Sequence, residues 1–188
     1  FRASGLPHRR VEEWKYTDLR NMLKEAFAPA IETDTAGKTT VAELIVALGP
    51  LAALDAWRIV FVNGHYRREL SRLDGFKGGD VKPLADVLAN APAGISETLL
   101  RSNGPEAESM IALNGALVTD GAIVRIGEDA ILAKPILLVN VAAGAERRLV
   151  ATRNVISVGT GASVQLIEAH VALAGAARGQ INAVNEVT

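Results

Sequence analysis

Apolar residues in the first part of the chain recur with the spacing of short helices. Thr40 and Glu43 form the signature of a capping box, and Gly49 followed by Pro50 marks a helix end. Between these signals the apolar residues follow the i, i+3, i+4, i+7 pattern of one helix face. They are Val41, Leu44, Ile45 and Leu48. The pattern therefore predicts a helix between Thr40 and Gly49 with one buried face.

Three further helices are predicted in the same part of the chain. One is capped by Thr17 and stopped by Pro29, one is closed by Asn90, and one starts at Pro105 and ends at Gly115. Their inward-facing residues are expected to be Leu19, Met22, Leu23 and Phe27 in the first, Leu84, Val87 and Leu88 in the second, and Ala107, Met110 and Ile111 in the third.

A hairpin interrupts these helices near residues 57–70. Residues 57–63 are apolar and partly β-branched, and Asn63 followed by Gly64 is a strong hairpin signal. Residues 65–70 would form the return strand. Residues 1–114 are therefore expected to form a mainly helical domain that contains one hairpin.

After Gly115 the pattern changes to short apolar runs separated by tight turns. Five runs have the length of strands: residues 122–126, 135–141, 153–158, 163–169 and 180–187. Two Gly-x-x-Ala turns, at 127–130 and 159–162, start 32 residues apart. Such spacing fits a sandwich, a barrel or a β-solenoid. The small aliphatic residues, with no aromatic residue after Phe76, favour the solenoid.

Composition excludes several classes of function. The chain of 188 residues is 49% hydrophobic and can bury a core, and its net charge of −1 gives no general attraction to nucleic acid or anionic lipid. It has no Cys, so disulfides and thiolate chemistry are absent. No run approaches the roughly 20 apolar residues of a membrane span, and no apolar signal region follows the first arginines. We expect a cytoplasmic protein with neither nucleic acid nor membrane as partner.

No catalytic, cofactor-binding or metal-ligating residue is assigned from the sequence. His8, His65 and His170 are too widely separated to indicate a metal site, although Glu168 and His170 would share one strand face. The segment from Gly159 to Gly161 lacks the third glycine and the helix of a dinucleotide loop, which favours a turn between strands.

The densest basic group outside the N-terminus lies beside the hairpin. It consists of Arg67, Arg68 and Arg72. A solvated surface is the simplest interpretation, and a docking role for a partner is the alternative.

Six collinear segments carry a family pattern. They are RRVEEWKYTDLR (9–20), FVNG (61–64), ALNGALVTDGAIVRI (112–126), KPILLV (134–139), RNVISVGTGASVQLIE (153–168) and INAVNEVT (181–188). The series resembles SufD in the SufB/SufD family, the scaffold subunits of the SUF iron–sulfur cluster assembly system. SufB shares the later segments but less of the EEWKYT start, so the resemblance is closer to SufD.

The resemblance implies a fold and a function. The fold is of mixed α and β type: a small N-terminal helical domain with a β-hairpin, here residues 1–114, leads into the first coils of a right-handed parallel β-helix, here residues 115–188. The protein would be a non-catalytic scaffold in the cytoplasm that pairs with SufB and with the ATPase SufC, which carries ATP. The iron–sulfur cluster would form at the SufB–SufD junction, and this segment would bind no cofactor itself.

The resemblance also implies that the chain is an N-terminal piece of a longer protein. The family's cluster-related histidine and most contacts to SufC would then lie beyond residue 188. Because the chain stops within an alternating apolar strand, we expect self-association through an uncapped β-helix end.

A carbohydrate-active β-helix, either a polysaccharide lyase or a hydrolase, is the alternative function. Such enzymes need acidic residues close together on one outer wall. After residue 115 only Glu168 and Glu186 could share a wall.

Overall fold

The computed structural model describes residues 1, 5–32, 38–90 and 109–188. Its strands are β1 (Trp57–Val62), β2 (His65–Tyr66), β3 (Gly79–Pro83), β4 (Ala122–Ile126), β5 (Ile136–Ala142), β6 (Leu149–Val158), β7 (Leu166–Ala172) and β8 (Gln180–Val187). Its α-helices are α1 (Leu19–Met22), α2 (Val41–Leu48), α3 (Leu84–Asn90) and α4 (Ser109–Leu117), and two 3-10 helices span Glu12–Trp14 and Gly49–Ala53. Each of the five runs predicted after residue 115 overlaps a strand, although β5, β6 and β7 extend beyond the predicted bounds.

The strands form two mixed sheets of four strands each. The first sheet has the order β2-β1-β5-β7, and the second has the order β3-β4-β6-β8. Strands β2 and β3 pair antiparallel with their neighbours, whereas the other pairs are parallel. From β4 to β8, successive strands alternate between the two sheets.

The predicted right-handed parallel β-helix is not shown by this structure. Both sheets are mixed and do not form a solenoid, because β2 and β3 add antiparallel strands to them. Strand β3 is not indicated by the sequence pattern, because its Gly79, Asp80 and Pro83 have low strand propensity. Pairing with β4 holds it extended. Both sheets draw strands from residues 1–114, and the division into domains at residue 114 stays a prediction.

Two apolar layers stabilise the sheets. Along β1, Ile59 and Phe61 face the second sheet, whereas Val60 and Val62 face α2, because successive strand residues point to opposite faces. The layer between the sheets includes Trp57, Ile59, Phe61, Val124, Ile126, Ile136, Leu138 and Ile156. Each such side chain contributes about 1.5–3 kcal/mol when it is fully buried.

Helix α2 follows the sequence prediction closely. Glu43 Oε2 accepts from the Thr40 backbone N–H at 2.8 Å, and the Glu43 N–H donates to Thr40 Oγ1 at 3.2 Å. Leu44 is buried, as is Leu48. Val41 and Ile45 are exposed, contrary to the prediction, because this short helix rests on the sheet along a narrow stripe only.

The helix predicted between Thr17 and Pro29 is much shorter than expected. Asp18, and not Thr17, caps it, and Leu23 already leaves the helical conformation. Isolated helices of this length are marginal in water because nucleation is costly. The exposed Met22 adds no packing that would extend it.

Helices α3 and α4 correspond to the other two predicted helices, whose predicted ends were Asn90 and Gly115. Helix α3 is described from Leu84 to Asn90, where the described stretch stops, so its predicted end stays a prediction. Helix α4 continues through Gly115 to Leu117, so the predicted end was wrong; Pro105 and Ala107 lie outside the described residues. Asn114 stabilises the extra turn, since its Nδ2 donates to the carbonyls of Thr152 and Asn182 at 2.9 and 2.8 Å.

The predicted turns are confirmed. Asn63 and Gly64 both have positive φ, of 47° and 80°, as a type I′ hairpin turn requires. The two Gly-x-x-Ala turns stack on each other, because Gly159 N donates to Ile126 O and Asp129 N donates to Thr160 O, both at 2.9 Å. The segment around Gly159 is therefore a stacked turn between strands.

Candidate functional site

A polar array lies between the two sheets beside β7 and β8. Leu138 faces this interior, so Asn140 faces it as well, two residues further along β5. In the register of β5 with β7, Leu138 lies opposite Glu168 and Asn140 opposite His170. The array consists of Asn140, Asn154, Glu168, His170 and Asn185.

Side-chain amides connect the array across both sheets. Asn154 Oδ1 accepts from the Ala122 backbone N–H at 2.8 Å, and its Nδ2 donates to Asn185 Oδ1 at 2.7 Å. Asn185 Nδ2 in turn donates to Glu168 Oε2 at 2.8 Å. On the other side, Asn140 Nδ2 donates to Glu168 Oε1 at 3.1 Å. The Glu168 carboxylate thus accepts from one amide of each sheet, and its bond with Asn185 joins the two sheets.

The array ends at an imidazole that water can reach. His170 Nε2 lies 3.2 Å from Glu168 Oε1, and the two side chains are 43% and 25% exposed. A carboxylate and an imidazole in contact can share a proton or bind a cation together. Across the described ranges, however, no group of three or more His, Asp or Glu residues could hold a metal ion. The geometry therefore suits hydrogen bonding between the sheets better than metal chemistry.

A second carboxylate, Asp120, is buried at the opposite side of the interior. Its oxygens accept from the backbone N–H groups of Tyr66 and Ala85 at 2.9 Å and of Gly121 at 2.8 Å. Burial raises the pKa of Asp120, although these three hydrogen bonds and the nearby His65 act to lower it. Asp120 links the hairpin, α3 and β4, which is a structural role.

The outer face of the second sheet carries a buried ion pair. Arg153 on β6 has no exposed surface and pairs with Glu186 on β8. Both side chains point away from the inter-sheet space, because their neighbours Asn154 and Asn185 point into it. The carboxylate of Glu186 thus compensates the charge of Arg153, and this ion pair engages Glu186 itself.

The structure separates most of the residues singled out in the sequence. Glu168 and His170 do share a strand face, as predicted. Glu168 and Glu186 lie in different sheets and have different partners, so they do not form the acidic wall of a polysaccharide lyase. His8 and His65 belong to other segments and join neither carboxylate in an ion pair within the described residues.

Sequence reasoning missed the amides of the array and the role of Asp120. A signal was available for Asn140, which interrupts the otherwise apolar run of β5 at a buried position. Asn154 and Asn185 carried no comparable signal, because their pairing depends on the alignment of β6 with β8.

A separate apolar cavity of about 910 Å³ lies between the N-terminal segment, α4 and β8. Cavities of this size are common in ligand sites. Its apolar lining includes Trp14, Leu23, Phe27, Met110, Leu117 and Val184. The polar side chains at this cavity, such as Lys24 and Gln180, indicate no specific chemistry.

Comparison with known proteins identifies the family. The family model described as the SufBD protein N-terminal region matches residues 1–138. An iron–sulfur cluster assembly SufBD family protein of Synechocystis sp. is 30% identical over 135 residues, which are 71% of this chain and 28% of that protein. The match thus spans little more than a quarter of the length of the relative. These matches show that the chain belongs to the SufBD family.

Proposed function

We propose that this chain is part of a non-catalytic scaffold for iron–sulfur cluster assembly. The family match over residues 1–138 carries the proposal, and the Synechocystis relative is named as an iron–sulfur cluster assembly protein. The cluster is the cargo of the assembly rather than a cofactor of this segment. The EEWKYT start favours SufD over SufB within the family.

The polar groups of the described residues support a structural role. Glu168, Glu186 and Asp120 each have several partners or a buried counter-charge. A general acid or base must instead reach the reacting group. Groups that are engaged with each other stabilise a rigid surface, which is what a scaffold presents to its partners.

The proposed partners are a SufB-like subunit and a SufC-like ATPase, in the cytoplasm. Strands β7 and β8 occupy sheet edges, and each pairs on one side only among the described strands. Unpaired N–H and C=O groups at an edge can pair with another chain. We therefore include association through this edge, either with a partner or with a second copy, in the proposal.

Co-expression of the full-length protein with its SufB-like and SufC-like subunits tests the function. We expect both subunits to co-purify with the full-length protein, and we expect the 188-residue chain alone to lose the SufC-like subunit. Failure of the full-length protein to retain either subunit contradicts the scaffold proposal.

Two further measurements accompany this experiment. Incubation with polygalacturonate should yield no cleavage products, and sustained cleavage would support the carbohydrate-active alternative. Light scattering of the 188-residue chain should show association that increases with concentration. A stable monomer at high concentration contradicts self-association at the edge but leaves the pairing with SufB-like and SufC-like subunits to the co-expression experiment.

A further inference from the structure

Two arginines meet on the outer face of the first sheet. Arg58 in β1 and Arg72 form an antiparallel bridge in which each backbone N–H donates to the carbonyl of the other, at 2.9 and 2.7 Å. Directly opposed residues of an antiparallel pair have their side chains on the same face. Arg58 Nε also donates to Leu70 O at 3.3 Å, which holds this guanidinium in place.

Among the described residues, this pair brings like charges together without an acidic partner. Burial and the positive charge of Arg72 both lower the pKa of Arg58. In the part of the chain that the structure describes, neither guanidinium forms an ion pair, whereas the neighbouring Arg67 pairs with Glu69. Like charges directly opposed destabilise an antiparallel pair. A bound anion would relieve this repulsion.

The surroundings favour an anionic group that is part of a protein. Arg58 shares the outer face of the first sheet with α2, because Val60 and Val62 on that face pack with Leu44 and Leu48. Helix α2 also exposes Val41, Ile45 and Val46 to solvent. A peptide can contact exposed apolar side chains as well as the guanidiniums, whereas a free phosphate ion can use the charges only.

We propose that Arg58 and Arg72 form a docking site for an acidic segment of a partner protein. The planar guanidinium binds carboxylates through paired N–H groups, so two arginines on one face can hold a carboxylate between them. Arg68 is exposed and has no acidic partner among the described residues, and it extends the positive surface. The inference rests on the proposed scaffold function, since a scaffold needs specific contacts with its partners.

Titration of a fluorescently labelled oligoglutamate peptide with the 188-residue chain at low salt tests this site. We expect saturable binding that weakens by about tenfold or more in Arg72→Gln and further in the Arg58→Gln/Arg72→Gln double variant, because each loses charge-assisted hydrogen bonds. Arg125→Gln is the matched control, since Arg125 is an exposed arginine of β4 in the other sheet. It should bind like the wild type.

Stability measurements separate a docking role from a structural one. Arg72→Gln removes one of two opposed like charges, so it should raise the melting temperature while it weakens peptide binding. A lower melting temperature would show that Arg72 stabilises the fold and would overturn the proposal. So would an unchanged affinity in the double variant, or the absence of saturable binding to the wild type.

Inorganic phosphate provides the second arm of the titration. Inorganic phosphate and unlabelled oligoglutamate are each added to displace the bound labelled peptide. If phosphate displaces it at a concentration equal to or below that of unlabelled oligoglutamate, the site is a free-anion site and the docking proposal is wrong. The peptide titration uses no SufB-like or SufC-like subunit. Its failure is therefore distinguishable from failure of the co-expression experiment.

Discussion

Two carboxylates face the space between the sheets, and they differ in exposure and in hydrogen-bond partners. Asp120 lies near the edge formed by β2 and β3, is 4% exposed, and accepts from three backbone N–H groups. Glu168 lies near the edge formed by β7 and β8, its side chain is 25% exposed, and its partners are side-chain amides and His170. Asp120 therefore accepts hydrogen bonds from the backbone of neighbouring segments, whereas Glu168 accepts them from other side chains.

This difference indicates at which side of the molecule the carboxylate matters more for stability. Removing a buried acceptor leaves backbone donors without partners, which costs free energy because water cannot replace the lost acceptor. At the partly exposed end of the array, Glu168 can exchange one partner for water at little cost. Stability should therefore depend strongly on the side of Asp120 and weakly on the side of Glu168, and that weaker side remains available for association.

The apolar layer between these two carboxylates should show the largest effect. Leu138 is 2% exposed, so Leu138→Ala removes buried methyl groups and leaves a cavity, with an expected loss of about 2–5 kcal/mol in the free energy of unfolding. Urea denaturation followed by circular dichroism measures it. The control Ile131→Ala changes an exposed side chain and should stay within about 0.5 kcal/mol of the wild type. Equal losses in both variants would contradict the assigned core.

Asp120→Asn should rank second. The amide replaces one acceptor oxygen with an NH2 group, which cannot accept from the backbone donors around it. We expect a loss of about 1–3 kcal/mol in the free energy of unfolding, measured by urea denaturation near neutral pH. If Asp120→Asn is no less stable than the wild type, the carboxylate does not have the structural role assigned to it.

The same variant gives the pH dependence of Asp120. Because burial raises its pKa in the folded state above the ordinary value of 3.8, the folded protein binds this proton more readily than the unfolded chain does. The stability gained by protonating Asp120 is therefore fully present below the unfolded pKa and is lost as pH rises through the folded pKa, whereas the backbone hydrogen bonds to its oxygens remain. Lowering the pH from about 7 to about 4 should make the wild type gain stability relative to Asp120→Asn. A relative loss over this range would show that the backbone hydrogen bonds outweigh burial.

Asn63→Ala should have a somewhat smaller effect on the same side of the molecule. Asn63 Nδ2 donates to Ala143 O and Asn63 Oδ1 accepts from Ala143 N, both at 2.9 Å. The loss of these bonds should cost about 1–2 kcal/mol, as measured by thermal denaturation. Asn63→Gly is the matched control, because glycine tolerates the positive φ but also lacks the side chain. A stability of Asn63→Gly equal to that of the wild type would assign the effect of Asn63→Ala to backbone strain alone.

Glu168→Gln should have the smallest effect. The amide keeps one acceptor oxygen, and the partly exposed site lets water replace the other. We expect a change within about 0.5 kcal/mol in the free energy of unfolding, measured beside Asp120→Asn under identical conditions. A loss as large as that of Asp120→Asn would remove the distinction between the two edges.

Much of the local structure could be predicted from the chain alone. The capping box of Thr40 and Glu43 and the turn at Asn63 depend on interactions between residues close in sequence. The strands after residue 115 are marked by local apolar runs between turn residues, although their pairing is long-range. The collinear motifs also led to the SufB/SufD family, and the family match supports that family without separating SufD from SufB. The absence of an assigned catalytic or metal residue stays a prediction.

The arrangement of the strands could not be predicted in the same way. Strand β3 has little strand propensity of its own and depends on pairing with β4. Likewise, Gly115 predicts a helix end, but hydrogen bonds from Asn114 to β6 and β8 keep α4 helical to Leu117. In both places a partner distant in sequence overrides the local preference.

The sequence by itself determined where the chain turns, which segments are apolar, and to which family the chain belongs, because these properties follow from short-range chemistry and from the order of motifs. Only the tertiary structure decided that the sheets are mixed, that Asn154, Asn185 and Glu168 meet between them, and that Arg58 lies opposite Arg72. The physical reason is strand register. A shift of one residue moves every side chain to the other face, and the register is set by pairing between segments that lie far apart along the chain.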